Sequence, residues 1–246
     1  MSVWLGGLVA VGHRGGRGPG WPPENTLEAF ERARAQGVSA IEMDVRPCAS
    51  GEIVVLHDRD LARMTGSQDR RRVEAVPLAG LRAIDLGAGA RVPLLVDVLA
   101  WARDRDVAVN VELKHDVPAR ARAAHAVARA TRACAADVLF SSFDPLLLAM
   151  IAALSPSVPR ALLTHAGQPR WADAVEAWMR PGLVSAIHLE RAQLDARSAA
   201  RCQRRRLRIG VWTVNDPDDA REVVSLGARS IISDDPGAVR SVIGRT

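Results

Sequence analysis

Acids, histidines and a lysine recur at two-residue spacing in three short stretches of the 246-residue chain: "VAVGHR" (9–14), "AIEMDV" (40–45) and "VNVELKH" (109–115). In an extended chain, residues two apart point the same way. Val9, Val11 and His13 then share one face, Glu42 and Asp44 a second, and Asn110, Glu112 and Lys114 a third. A fourth stretch, "IVVLH" (53–57), follows the second after seven residues and brings His57 back toward Glu42 and Asp44. Three carboxylates, two imidazoles and an ammonium would converge. Carboxylates crowded in this way repel one another unless protons or a cation neutralise them. Oxygen ligands suit one hard divalent cation, Mg²⁺ or Ca²⁺, better than zinc. Taken singly, His13 could be a satisfied structural histidine, and Glu42 with Asp44 a solvated strand edge. Their coincidence at successive strand ends favours a site. His115, His125, His165 and His188 lack such company and read as surface or packing residues.

Those stretches need a scaffold that points charge inward. Nine strand-like runs are visible, at 8–12, 40–45, 53–57, 107–113, 137–140, 160–164, 184–189, 209–214 and 230–233, with helical patterns between nearly all of them. "ENTLEAFERARAQG" opens on a polar cap and closes on Gly37, and "NDPDDAREVVSLG" opens on Asn215 or Asp216 with Pro217 and closes on Gly227. Seven residues are too few for a helical crossover between 40–45 and 53–57, and Ser50-Gly51 signals a turn, so this pair is predicted as an antiparallel hairpin. Eight parallel strands remain. The expectation is an α/β fold: a single (β/α)₈ TIM-barrel domain over 1–246, with an extra hairpin strand at about 53–57. An irregular loop at 58–93 leads to a helix at 94–106. The outer face of a barrel lies beneath helices and is apolar, so Ile41, Met43, Val45, Val109, Val111 and Leu113 belong outside. The charged set then faces the C-terminal mouth, where barrel active sites lie.

Composition narrows the class further. Of 33 basic residues only Lys114 is lysine, and the net charge is +5. The arginines are dispersed rather than interleaved with aromatics, which argues against nucleic acid as a partner. Cys48, Cys134 and Cys202 lie far apart with no CxxC pair, so neither a disulfide framework nor a zinc site is expected, and a reducing compartment fits. "MSVWLGGLVAVG" lacks a basic n-region and reads as a first strand rather than a signal peptide. With no run of transmembrane length, the expected location is cytoplasmic, with no stable membrane insertion.

The ordered set "HRGGRGPGWPPENTLEAF", "IEMDV", "VVLHD", "LARMTG", "VELK", "FSSFDP", "VWTVND" and "IISDDP" resembles the glycerophosphodiester phosphodiesterases along nearly the whole chain. Only the turn departs, with Ser50-Gly51 where Asp-Gly is usual. The resemblance implies a phospholipase-C-like barrel that hydrolyses glycerophosphodiesters to sn-glycerol 3-phosphate and an alcohol, with a divalent metal. Position by position, Glu42, Asp44 and Glu112 resemble the metal ligands, and His13 and His57 the acid/base pair. Arg14 and Lys114 resemble the phosphate-binding cations, and Trp212 the aromatic of the substrate cleft. The 58–93 loop resembles a short form of the family's insertion. Lysine is a compact charge on a flexible stem, suited to following one phosphoryl oxygen; placed at the mouth, Lys114 is not expected to hold the core. A lysophospholipase D-like enzyme of the same fold would need an apolar rim of Trp21, Trp212 and the 58–93 loop. A non-catalytic phosphate-ester-binding barrel would not need two histidines facing three carboxylates.

Overall fold

The computed structural model describes residues 2–168 and 182–244. Its strands are β1 (Val9–Gly12), β2 (Ala40–Pro47), β3 (Ile53–Val55), β4 (Ala108–Leu113), β5 (Val138–Ser142), β6 (Arg160–Thr164), β7 (Ala186–Glu190), β8 (Arg208–Trp212) and β9 (Ala228–Ser233). All except β3 pair in parallel, in the order β1-β9-β8-β7-β6-β5-β4-β2, and β1 pairs with β2 to close the barrel. This is the predicted (β/α)₈ barrel. Strand β1 meets β2 only at Ala40 and Ile41, which leaves the upper edge of β2 free. The hairpin strand β3 folds back antiparallel onto that edge, Val45 opposite Val55 and Pro47 opposite Ile53. A bond from Leu56 N to Asp44 O, 2.8 Å, extends the pairing and delivers His57 to the mouth.

Helices α1 (Leu27–Ala35), α2 (Leu78–Ala83), α3 (Leu95–Asp104), α4 (Arg120–Cys134), α5 (Pro145–Leu154), α6 (Ala196–Arg204), α7 (Pro217–Ser225) and α8 (Pro236–Ile243) flank the strands. Thr26 caps α1 by accepting from Ala29 N, and Asp216, not Asn215, caps α7. Ile41, Met43 and Val45 join Val109, Val111 and Leu113 in one buried cluster with Phe30 of α1 and Leu95, Val98 and Leu99 of α3. Burying each large apolar side chain stabilises by about 1.5–3 kcal/mol. That outward apolar face forces the alternate, charged positions inward.

The lower interior is filled by Val9, Val11, Ala40, Ala108, Leu139, Ala161 and Ala186, with Trp4 packed against them. Trp4 lies on a 3₁₀ turn, Val3–Leu5, and donates from Nε1 to the Asp137 carbonyl at 3.3 Å. The N-terminal apolar run is therefore a turn followed by a strand. Apolarity alone does not distinguish the two. Nor is 58–93 featureless. It holds a 3₁₀ turn (Val73–Ala75) and α2, and Leu61, Val73, Val76, Leu81 and Val92 form a buried cluster with Cys48, Val54 and Leu56. His188, on β7, is buried in the barrel, and burial pushes its imidazole down to about 4, so it packs neutral. Gly210 makes room for it, since a Cβ there would strike the His188 ring and the Ser230 hydroxyl. Among the described residues no helix is long and apolar enough to cross a membrane.

Candidate active site

Parallel pairing of β2 with β4 sets Glu42 opposite Asn110 and Asp44 opposite Glu112. One carboxylate oxygen from each of Glu42, Asp44 and Glu112 lies within 4.8 Å of the others, and all three residues are buried. Lys114 Nζ donates to Asp44 Oδ1 at 3.2 Å and to Glu112 Oε1 at 2.8 Å. Arg14 Nε approaches Asp44 Oδ2 at 3.1 Å. Burial pushes the Asp44 carboxyl up, but Lys114 and Arg14 outweigh it and hold the group well below the usual carboxylate range. For Glu42 burial also pushes upward, and repulsion from Asp44 and Glu112 adds to it, so this carboxyl is held well above its ordinary value. Glu42 Oε1 has no hydrogen-bond partner. Two cations thus face three buried carboxylates, and one acceptor is unsatisfied. That donor set fits a hard divalent cation, whose charge would offset the repulsion among the three carboxylates.

The loop after β1 is tied to the triad through its backbone. Arg14 N donates to Glu42 Oε2 at 2.9 Å. Asn25 Nδ2 donates to Asp44 Oδ2 at 2.9 Å, Asn25 Oδ1 accepts from Asp44 N at 3.2 Å, and Asn25 N donates to Arg14 O at 3.0 Å. Arg14 and Asn25 both adopt left-handed backbone, with φ of 53° and 60°. That conformation costs about 1–3 kcal/mol per residue, which these hydrogen bonds offset. Gly15 follows at φ +89°, and a Cβ there would come within 2.8 Å of α1 at Ala29.

Each histidine is backed by a carboxylate. His13 Nδ1 lies 2.7 Å from Asp234 Oδ1, and His57 Nδ1 lies 2.8 Å from Asp58 Oδ1. Burial would raise both carboxyls, but the histidine bonds, with Arg63 at Asp58, bring both below their usual value. The ionised carboxylates can only accept, so each Nδ1 carries the proton and each Nε2 is left for chemistry. Arg63 Nε donates to Asp58 Oδ2 at 2.6 Å. Glu24 links the two sides, meeting Arg14 NH1 at 3.0 Å, Arg17 Nε at 3.0 Å and Arg63 NH2 at 2.6 Å.

A cavity of about 190 Å³ is lined by His13, Arg14, Glu42, His57, Glu112, Lys114 and Trp212, together with Asn110, Phe143, Leu163 and Ile232. Every residue proposed from the sequence borders it except Asp44, which lies behind the wall at 1% exposure. Phe143 meets Trp212 edge-on at 5.7 Å between ring centroids and also touches His115 and His165. Two residues named from the sequence gain a structural setting. Lys114, expected to face inward at the mouth, is 8% exposed and joined to two buried carboxylates. Trp21 stacks under Arg32 and lines a different cavity, of about 510 Å³, that shares His57. Asp58, Asp234, Glu24, Asn25 and Phe143 were not singled out from the sequence. All five stood within the resemblance segments: Glu24 and Asn25 in "PPENT", Asp58 directly after His57, Phe143 in "FSSFDP" and Asp234 in "IISDDP".

A barrel with this acidic, imidazole-lined mouth has close relatives. The model of the glycerophosphoryl diester phosphodiesterase family matches residues 13–238. A glycerophosphodiester phosphodiesterase of Caldanaerobacter subterraneus is 27% identical over 232 residues, covering 90% of this chain and 92% of the relative. The crystal structure of a glycerophosphodiester phosphodiesterase from Agrobacterium tumefaciens superposes with a TM-score of 0.73 at 27% identity, covering 94% of this chain and 98% of that one. An Oleispira antarctica phosphodiesterase, solved with the product sn-glycerol-3-phosphate, shares the fold with a TM-score of 0.86 at 23% identity, covering 99% of each chain. The protein is a phosphoric diester hydrolase. It belongs to the glycerophosphoryl diester phosphodiesterase family.

Proposed function

We propose that the protein hydrolyses glycerophosphodiesters to sn-glycerol 3-phosphate and an alcohol, with Mg²⁺ or Ca²⁺ held by Glu42, Asp44 and Glu112 and with His13 and His57 as the acid/base pair. The observation that carries this reading is the convergence of the triad and both carboxylate-backed histidines on one small cavity. When bound, the cation supplies positive charge to the phosphoryl oxygens. Arg14 and Lys114 add to it. An ammonium has three N–H donors, and Asp44 and Glu112 occupy two on Lys114, leaving one for a phosphoryl oxygen. One histidine, unprotonated at Nε2, takes a proton there from the nucleophile, and the other, entering the reaction as imidazolium, gives its Nε2 proton to the leaving alkoxide. Asp58 and Asp234 hold the ring tautomers and stabilise the imidazolium as it forms. Trp212 and Phe143 wall the glycerol side. The chain acts as one barrel domain, with 58–93 beside the mouth.

Purified protein with Mg²⁺ or Ca²⁺ is expected to release sn-glycerol 3-phosphate and choline from glycerophosphocholine, measured by coupled enzymatic detection of both products. Acylated lysophosphatidylcholine should react more slowly, because Trp21 and the 58–93 loop line a cavity that meets the Trp212 cavity only at His57. Failure to release glycerol 3-phosphate with either ion sinks the reading. Lys114→Arg provides a finer test. Arginine keeps the charge but puts a planar, wider head between Asp44 and Glu112. The expected cost is about 2–3 kcal/mol of transition-state stabilisation, or about two orders of magnitude in kcat/KM. Kinetics are compared with the melting curve; wild-type kcat/KM in this variant would remove Lys114 from the phosphate site.

A further inference from the structure

Asn110 faces inward from β4 beside Glu42 and is 1% exposed. Neither its amide oxygen nor its amide nitrogen has a hydrogen-bond partner, although the residue borders the 190 Å³ cavity. Buried polar groups in native proteins are almost always paired, so an amide unpaired at both ends calls for a partner outside the chain. The cavity's other polar side chains are each held by at least one partner, and the atoms they leave free, Nε2 of both histidines and one N–H of Lys114, are those the hydrolysis uses. Both histidines are tied at Nδ1, Lys114 to the triad, Arg14 to Glu24 and Asp44, and Trp212 Nε1 donates to the His188 carbonyl at 3.1 Å. Glu42 Oε1 is also unpaired, but it is part of the acidic triad and answers to a cation or a proton. Leu163 and Ile232 offer a hydroxyl nothing. The substrate half proposed for this cavity carries two neighbouring uncharged hydroxyls, each a donor and an acceptor.

We infer that the Asn110 side chain recognises the vicinal diol of the glycerol 3-phosphate half of the substrate. Its N–H donates to one hydroxyl oxygen and its carbonyl accepts from a hydroxyl; the inference rests on the hydrolase reading above. A site built to hydrogen-bond hydroxyls rejects analogues that lack them, because its own buried groups are then left unpaired. Asn110 is thus a specificity-determining residue, selecting glycerol phosphate esters over plain alkyl phosphate esters.

The test is calorimetric binding of sn-glycerol 3-phosphate and of n-propyl phosphate, which lacks the diol, to the Mg²⁺-loaded protein. Wild type is expected to prefer glycerol 3-phosphate by about tenfold or more, the effect of one or two buried hydrogen bonds. In Asn110→Leu, of similar volume, and in Asn110→Ala, the ratio should fall toward one; melting curves report whether each is folded. Wild type without the preference, or a folded variant of either kind that keeps it, overturns the inference. Turnover of glycerophosphocholine is read separately. Protein that shows the Asn110-dependent preference but no turnover would support the diol site while overturning the hydrolytic reading.

Discussion

Replacing His57 with alanine is expected to lower kcat by about 10²–10⁴-fold, the range for loss of a positioned general acid or base. The expectation follows from where the ring is held. Hairpin strand β3 and the Leu56-to-Asp44 bond carry His57 to the cavity wall, and Asp58, itself clamped by Arg63, fixes its Nδ1. His13→Ala should lose a similar amount, since His13 has the equivalent partner in Asp234. The double variant should be far less than multiplicatively worse, because removing either proton-transfer group already disables the unit. Stability should change little for His57, whose side chain is 34% exposed. Steady-state kinetics of the three variants on glycerophosphocholine check this. A His57→Ala enzyme turning over at a near wild-type rate would assign the chemistry to other groups.

Much of this arrangement is legible in the sequence because barrel strands encode their two faces separately. The alternation of Ile41, Met43 and Val45 with Glu42 and Asp44 reads directly as outside and inside, and the seven-residue link before 53–57 admits only a hairpin. What is not legible depends on contacts between distant residues or on elements too short to carry a period. Asp234 reaches His13 across 221 positions, and no local pattern announces that. The Glu24 junction exists only once the loops bearing Arg14, Arg17 and Arg63 have folded toward one another. Helix α2 spans Leu78–Ala83, under two turns, too few for amphipathic periodicity to show. The pairing of Lys114 is not legible for a related reason. Its strand position places it at the mouth, but two-residue alternation does not say that Asp44 and Glu112 will draw the ammonium in.

Removing divalent cations with EDTA should abolish turnover, and Mg²⁺ or Ca²⁺ should restore it, with no requirement for zinc. The charge balance of the triad gives the reason and also a readout independent of activity. Without metal, burial and the neighbouring Asp44 and Glu112 hold the Glu42 carboxyl protonated well above its normal range. Cation binding must expel that proton, so affinity for Mg²⁺ should strengthen as pH rises toward the raised value of Glu42 and level off beyond it. A cation that binds only the folded chain also stabilises it, by about 2.7 kcal/mol at one hundred times its dissociation constant. Melting temperature should therefore rise with added Mg²⁺, and rise more as pH is raised through the titration of Glu42. In Glu42→Gln the amide carries no titrating proton, so the pH dependence of binding should flatten even as affinity falls. Full turnover in protein shown by elemental analysis to be metal-free would overturn the assignment of Glu42, Asp44 and Glu112 as ligands. Binding with no pH dependence would overturn the protonated state of Glu42 alone.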